Sequence, residues 1–136
     1  MRVVDVRVER AFGPSDDLND LYRDALEGAR RQRGGEAFLD SLGIDATTLD
    51  IWLDEESVWV AQDDRLRGFG VCSRQVIMGL YVDPTHRRSG IGRSLASEII
   101  RECSPVDAYA LPGDRAMKSL YESFGWKARL LTMRAE

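Results

Sequence analysis

The chain has 136 residues, a formal net charge of −4 and 43% apolar residues. That length supports a hydrophobic core without disulfide or metal staples, and the acidic balance argues against a general nucleic-acid binder, because neutralising phosphates takes clustered positive charge. No stretch nears the 18 uninterrupted apolar residues of a membrane span, and the opening MRVVDVRVERAF alternates instead of forming the apolar run of a secretory signal, so a cytoplasmic protein is the default expectation.

The alternation over 2–10 predicts a first strand. Ser15 follows the turn signal GPS and is placed to cap a helix from Asp16, with Asp16 and Asp17 suited to its positive end. Leu18, Leu21, Tyr22, Ala25, Leu26 and Ala29 then recur at helical spacing. Gly34 and Gly35 end that helix, and a shorter one is predicted over 36–42, closed by Gly43. SVWVAQ (57–62) and LRGFGVCSR (66–74), joined by Asp63-Asp64-Arg65, predict an antiparallel hairpin. QVIMGLYV (75–82) is a further strand that must leave the sheet at Asp83-Pro84. A helix follows from Ser89, with Ile91, Leu95, Ile99 and Cys103 on one face. VDAYAL (106–111) predicts a short strand, 114–124 a helix closed by Gly125, and WKARLLTMR (126–134) a last strand. The order gives a mixed α/β fold in one domain, 1–136, with neither repeat nor linker. Cys72 and Cys103 lack CxxC spacing and read as buried free thiols, not as metal ligands.

The most informative stretch is HRRSGIGRS (86–94). All but two of the 19 basic residues are arginine, and Arg87, Arg88 and Arg93 crowd this one place. The first turn of a helix leaves backbone N–H groups without intrahelical partners, and its dipole adds about half a positive charge. Glycines at 90 and 92 would let a phosphate approach the main chain, with arginines on its outer oxygens. A dinucleotide fingerprint fails because Leu95 stands where its third glycine belongs, and no GxxxxGK[ST] is present. What remains is RxxGxG, met by Arg87, Gly90 and Gly92, after a strand ending in Val-Asp-Pro.

In this setting LYVDPTHRRSGIGRSL (80–95) resembles the acetyl-CoA signature of the GNAT superfamily of acyl-CoA-dependent N-acetyltransferases. A second stretch, DRAMKSLYESFGW (114–126), resembles that family's N-x-x-A-x-x-L-Y-E-x-x-G-F motif, with Asp114, Met117 and Trp126 as departures. The resemblance implies a mainly antiparallel central sheet of about six strands with helices on both faces. It implies acetyl-CoA as co-substrate, its pantetheine arm along the main chain of Leu80, Tyr81 and Val82. Its pyrophosphate would meet the N–H groups of Arg88, Ser89, Gly90, Ile91, Gly92 and Arg93, with Arg87 beside them and Asp114 either bonding a cofactor amide or capping its helix. Tyr121 aligns with the tyrosine that protonates the departing thiolate; a phenol with an ordinary pKa near 10 holds its proton at neutral pH.

The implied reaction is direct attack of a primary amine, free or at a peptide end, on the acetyl thioester in a ternary complex. Gln75-Val76-Ile77-Met78 contains none of the acids that serve some family members as base, so proton removal falls to water, with Glu36 and Asp40 as remoter options. His86 sits on the phosphate side. A catalytically inactive acyl-CoA-binding or sensing module is the competing reading, and a phosphate-binding domain unrelated to CoA a remoter one. The acidic residues Asp50, Asp54, Glu55 and Glu56 would suit a polyamine, aminoglycoside or basic peptide end, or simply face solvent. A homodimer through the edge at 126–134 stays open; nucleic-acid and membrane partners are not expected.

Overall fold

Alternating side chains sort the strands into two faces, and each face carries its own core. The computed structural model describes residues 5–133 and 135. Its elements are β1 (Arg7–Arg10), α1 (Asp16–Arg31), α2 (Gly35–Leu42), α3 (Thr48–Asp54), β2 (Val58–Gln62), β3 (Leu66–Ser73), β4 (Val76–Val82), a 3-10 turn (Pro84–His86), α4 (Ile91–Cys103), β5 (Asp107–Ala108) and α5 (Arg115–Ser123). The sheet order is β1-β2-β3-β4-β5; every neighbouring pair is antiparallel except β4 with β5. Along β2, Val58 and Val60 join one core while Trp59 and Ala61 join the other, the period-2 pattern of a sheet covered on both sides.

The first core is closed by α1, α2 and α3 through Leu18, Leu21, Leu26, Leu39, Leu49, Trp52 and Leu53. The second is closed by α4 and α5 through Ile91, Leu95, Ile99 and Tyr121. Local signals agree with these roles. The Ser15 side chain accepts from Leu18 N–H at 3.1 Å, acidic residues open α1 and Arg30 and Arg31 end it; a cap of this kind stabilises a helix by about 1 kcal/mol.

The mixed, mainly antiparallel sheet with helices on both faces agrees with the sequence reading, with five strands among the described residues in place of about six. The expected last strand is not formed: 126–133 runs outside the sheet with Leu130, Leu131 and Met133 exposed, and residue 134 lies outside the described residues. The first strand covers only Arg7–Arg10, and residues 2–4 of its expected span are likewise outside. β5 shrinks to two residues, its pairing with β4 ending at Ala108. The helix expected from Ser89 begins at Ile91, since Arg88 and Gly90 take left-handed conformations. An unforeseen helix, α3, buries Leu49, Trp52 and Leu53 at i, i+3 and i+4. Asp45 prepares its entry by accepting from Thr47 N–H at 2.8 Å and Thr47 Oγ1 at 2.6 Å.

Candidate functional site

Strands β4 and β5 part company after two residue pairs. Val76 pairs with Asp107 and Ile77 with Ala108, Val106 N–H donates to Gln75 C=O at 2.8 Å and Tyr109 N–H to Ile77 C=O at 3.0 Å; past Tyr109 the pairing ends among the described residues. On the other side of β4, Val71 faces Gly79 but Cys72 faces Ile77, so Met78 is an extra residue, a β-bulge. A bulge bends its strand and leaves a residue outside the ladder. Here it does so where β5 departs, and a gap opens along Met78–Val82. Asp83 N–H donates to Arg67 C=O at 2.7 Å, which fixes the alternation of the antiparallel ladder. The main-chain groups of Tyr81 and Gly79 therefore turn toward β3, and those of Leu80 and Val82 toward the gap. Tyr81 contributes its ring instead.

Beyond the gap lies the start of α4. Gly90, at φ 89°, is its N-cap, and no side chain caps the helix. Arg88 is also left-handed, at φ 64°; backbone that alternates in this way turns successive N–H groups into an anion-binding concavity. Ser89 helps to shape the turn by donating its hydroxyl to His86 C=O. The three arginines have separate duties. Arg87 donates Nε to Val82 C=O at 3.1 Å and lays its guanidinium 5.1 Å from the Tyr81 ring centre, so it occupies one gap-side carbonyl and keeps its terminal amino groups. Arg93 bonds Ser123 Oγ at 2.8 Å and stacks on Phe124, strapping α4 to α5. Arg88 is exposed and makes no side-chain bond among the described residues. Gly92 is an ordinary helical position. A Cβ there would meet Leu120 Cδ2 at 3.7 Å and Val82 Cγ2 at 3.8 Å, both ordinary contacts.

Asp114 caps α5, accepting from Met117 N–H at 3.1 Å. Tyr121 is 6% exposed, stacks on Trp126 with centres 5.8 Å apart, and its hydroxyl is buried without a partner. Burial, then the Asp114 charge, push its pKa above the ordinary value. The ring packs in the second core with Cys72, Ile77 and Leu80, beneath the parted strand. The Cys72 thiol is pushed up to about 12, by burial and then by neighbouring Cys103. His86 approaches Asp83 Oδ2 at 3.3 Å and Thr85 Oγ1 at 2.8 Å. Burial works against the Asp83 charge, yet Thr85 and His86 hold its carboxyl below the usual range.

A cavity of about 920 Å³ joins these parts to the first core, near the upper end of small-molecule sites. Its wall includes Leu80, Tyr81, Val82, Arg87, Arg88, Gly90, Ile91, Gly92, Arg93 and Asp114, all assigned from sequence. Ser89 and Tyr121 do not line it; Met117 and Leu120 represent α5 there. Glu36, Asp40 and the acidic residues 50 and 54–56 are likewise off the wall.

A profile of the acetyltransferase (GNAT) domain matches residues 54–128. The chain belongs to the GNAT acetyltransferase family. No curated protein matches it by sequence, whereas solved structures do by fold. A GNAT-family acetyltransferase from Bacillus cereus superposes with a TM-score of 0.69 at 15% identity, over 98% of this chain and 90% of that one. The yncA protein of Salmonella typhimurium, solved with its cofactor acetyl-CoA, gives 0.64 at 20% identity, over 90% and 79%. Diaminobutyrate acetyltransferase from Paenibacillus lautus, in complex with L-2,4-diaminobutyric acid and coenzyme A, gives 0.60 at 18% identity, over 88% and 74%.

Three features of this GNAT site escaped the sequence reading. The bulge at Met78 had one available signal, Gly79 inside a strand pattern. The aromatic wall of the cavity, Tyr22, Trp52 and Phe69, looked like ordinary core spacing. The third is Phe38 against Tyr109, ring centres 5.2 Å apart at 74°, which joins α2 to the segment after β5 across the cavity. No helix among the described residues is long and apolar enough to cross a membrane, and no group of three or more His, Cys, Asp or Glu among them could hold a metal ion.

Proposed function

We propose that this GNAT domain, spanning 1–136, transfers the acetyl group of acetyl-CoA to a primary amine by direct attack in a ternary complex. The observation that carries the reading is the alignment of three parts in one cavity: the gap beside Leu80 and Val82, the uncapped start of α4, and a half-open chamber under α1–α3. An extended arm bearing amides pairs with the open backbone of β4 as a further strand. Its pyrophosphate rests on the N–H groups from Arg88 to Arg93, with the Arg88 guanidinium on an outer oxygen.

That arrangement leaves the thioester at the bulge, between the two layers of the molecule. The amine nitrogen arrives from the α1–α3 side, its lone pair forms the bond to the acetyl carbon, and the carbon–sulfur bond breaks. Sulfur takes a proton from the Tyr121 hydroxyl, which approaches from the α5 side through the parted strands. The partnerless hydroxyl supports this role, since burying such a group without a bond costs about 1–3 kcal/mol, and its raised pKa keeps the proton in place across the physiological range. Water carries off the surplus proton of the amine, and Tyr121 regains a proton from water once CoA leaves, which closes the cycle. Asp114 serves as the cap of α5 and so sets the orientation of Tyr121.

One observation favours the alternative of an acyl-CoA-binding module without turnover: Tyr121 is absent from the cavity wall. Calorimetry with acetyl-CoA and a thiol-release assay over an amine panel separate the two. Micromolar binding with acetylation supports transfer; binding with no acetylation of any amine supports the module; no binding removes both.

A further inference from the structure

The acceptor end of the cavity has a chemistry of its own, and it bears on which amine enters. Tyr22, Trp52 and Phe69 form a continuous aromatic wall: Tyr22 meets Trp52 edge-on at 6.3 Å and Phe69 at 6.0 Å. Phe38 and Tyr109 face each other where α2 meets the segment after β5. The one hydroxyl of the inner wall is already engaged, since Tyr22 donates to Asp45 C=O at 2.6 Å. Among the described residues the cavity wall holds a single carboxylate, Asp114, at the far end and bonded to Met117 N–H. The other charges on the wall are cationic, Arg31 joining Arg87, Arg88 and Arg93.

A second ammonium group in such a chamber would lose water, find no anion and sit among like charges. A flat or branched hydrocarbon body would instead replace water along ring faces. Resting on the acetyl-transfer reading above, we infer that the acceptor is a monoamine carried on an aromatic or branched apolar body, and that polyamines and aminoglycosides are excluded by the aromatic wall that includes Phe38, whose end of the cavity carries no carboxylate. The acidic residues Asp50, Asp54, Glu55 and Glu56 stand outside the cavity and contribute nothing to this choice.

The test compares 2-phenylethylamine with spermidine and an aminoglycoside, read as kcat/KM with saturating acetyl-CoA. The arylalkylamine is favoured by about 100-fold or more, the size of discrimination that an unpaired buried charge imposes. Phe38→Asp plants a carboxylate on the wall. It lowers kcat/KM for phenylethylamine, raises it for a diamine of similar length, and leaves acetyl-CoA affinity unchanged. Tyr109→Asp, at a residue 40% exposed, repeats the test should the first variant fold poorly, and Phe38→Leu keeps the wild-type preference. Equal or better turnover of spermidine by the wild type overturns the inference, as does an unchanged ratio in both aspartate variants. If no amine is acetylated, the transfer reading fails. Calorimetry of the same amines with the CoA-loaded protein then decides the substrate class: binding of phenylethylamine alone upholds it, and binding of spermidine, or of neither, overturns it.

Discussion

On the transfer reading proposed above, recognition at one end of the cavity rests on backbone: N–H groups at the start of α4, with Gly90 and Arg88 held left-handed around them. At the other end it rests on side chains, the rings of Tyr22, Trp52 and Phe69 supplied by α1, α3 and β3. Backbone donors at a helix start suit any phosphate of the right size and depend little on side-chain identity. An aromatic wall changes its preference with a single substitution. The difference teaches where variation is tolerable: the cofactor end is fixed by conformation and the acceptor end by composition.

The comparison breaks most visibly at Gly90. Glutamate there must adopt the left-handed region, at about 1–2 kcal/mol, and places a negative charge beside the pyrophosphate. Acetyl-CoA affinity measured by calorimetry should fall by at least about 100-fold, while the backbone strain lowers the melting temperature by several degrees without preventing folding. Retained affinity would move the phosphates elsewhere. Tyr121→Phe tests the junction of the two ends. Turnover should fall by about 100-fold, while acetyl-CoA affinity holds and thermal stability holds or rises as the partnerless hydroxyl is removed. Undiminished turnover would strip Tyr121 of its role as acid.

A smaller effect depends on pH. Trp59 Nε1–H donates to Glu102 Oε2 at 2.6 Å, tying α4 to β2. That bond, then the Arg10 charge, hold the Glu102 carboxyl below its ordinary value against burial. A depressed folded pKa stabilises the protein above the unfolded pKa and stops doing so as pH falls through the folded one. Trp59→Phe should therefore cost about 1–2 kcal/mol at pH 7 beyond its packing change, and urea titrations should show that excess shrinking as pH falls through the depressed folded pKa of Glu102, where the bond loses its charge assistance. The acceptor end has an acid-sensitive contact of its own, the Asp45 carboxylate that the Thr47 hydroxyl and N–H hold below its ordinary value, whereas the Tyr22 bond to Asp45 C=O is neutral and burial pushes the Tyr22 pKa up to about 12. Smallest of all is Gly92→Ala. The added methyl meets only ordinary contacts, so acetyl-CoA affinity should stay within about twofold and stability rise by about 0.5–1 kcal/mol through helix propensity. A large loss of affinity would show that the bareness of Gly92 serves the ligand.

These outcomes bear on how far the sequence could be read. Gly90 and the arginines are legible because a helix start needs only local residues to declare itself, and the strand before them ends at a proline. The gap in the sheet is less so. It arises from a register shift between Val71 and Cys72 on one strand and Gly79 and Ile77 on the next, and pairing is a property of two segments at once. The aromatic wall draws on residues 22, 38, 52, 69 and 109, each ordinary within its own element. The helix α3 was hidden by its length, since seven residues give barely two turns of pattern. The segment 126–133 shows the opposite error: its composition favours a strand, yet a strand needs a neighbour, and none is present among the described residues.

Two glycines on β3 carry a consequence of another kind. A methyl at Gly70 would stand 2.6 Å from Leu80 Cδ2 and 2.8 Å from Ile99 Cδ1; one at Gly68 would stand 2.8 Å from Tyr81 O and 3.2 Å from Leu95 Cδ1. Both positions lie where α4 seats on the sheet beside β4. Because the helix moves as a rigid rod, lifting it at Ile99 or Leu95 also lifts its first turn, four to eight residues away. The missing methyl groups thus act as a spacer gauge, setting how far the start of α4 stands from the parted strand, from positions that are not on the cavity wall.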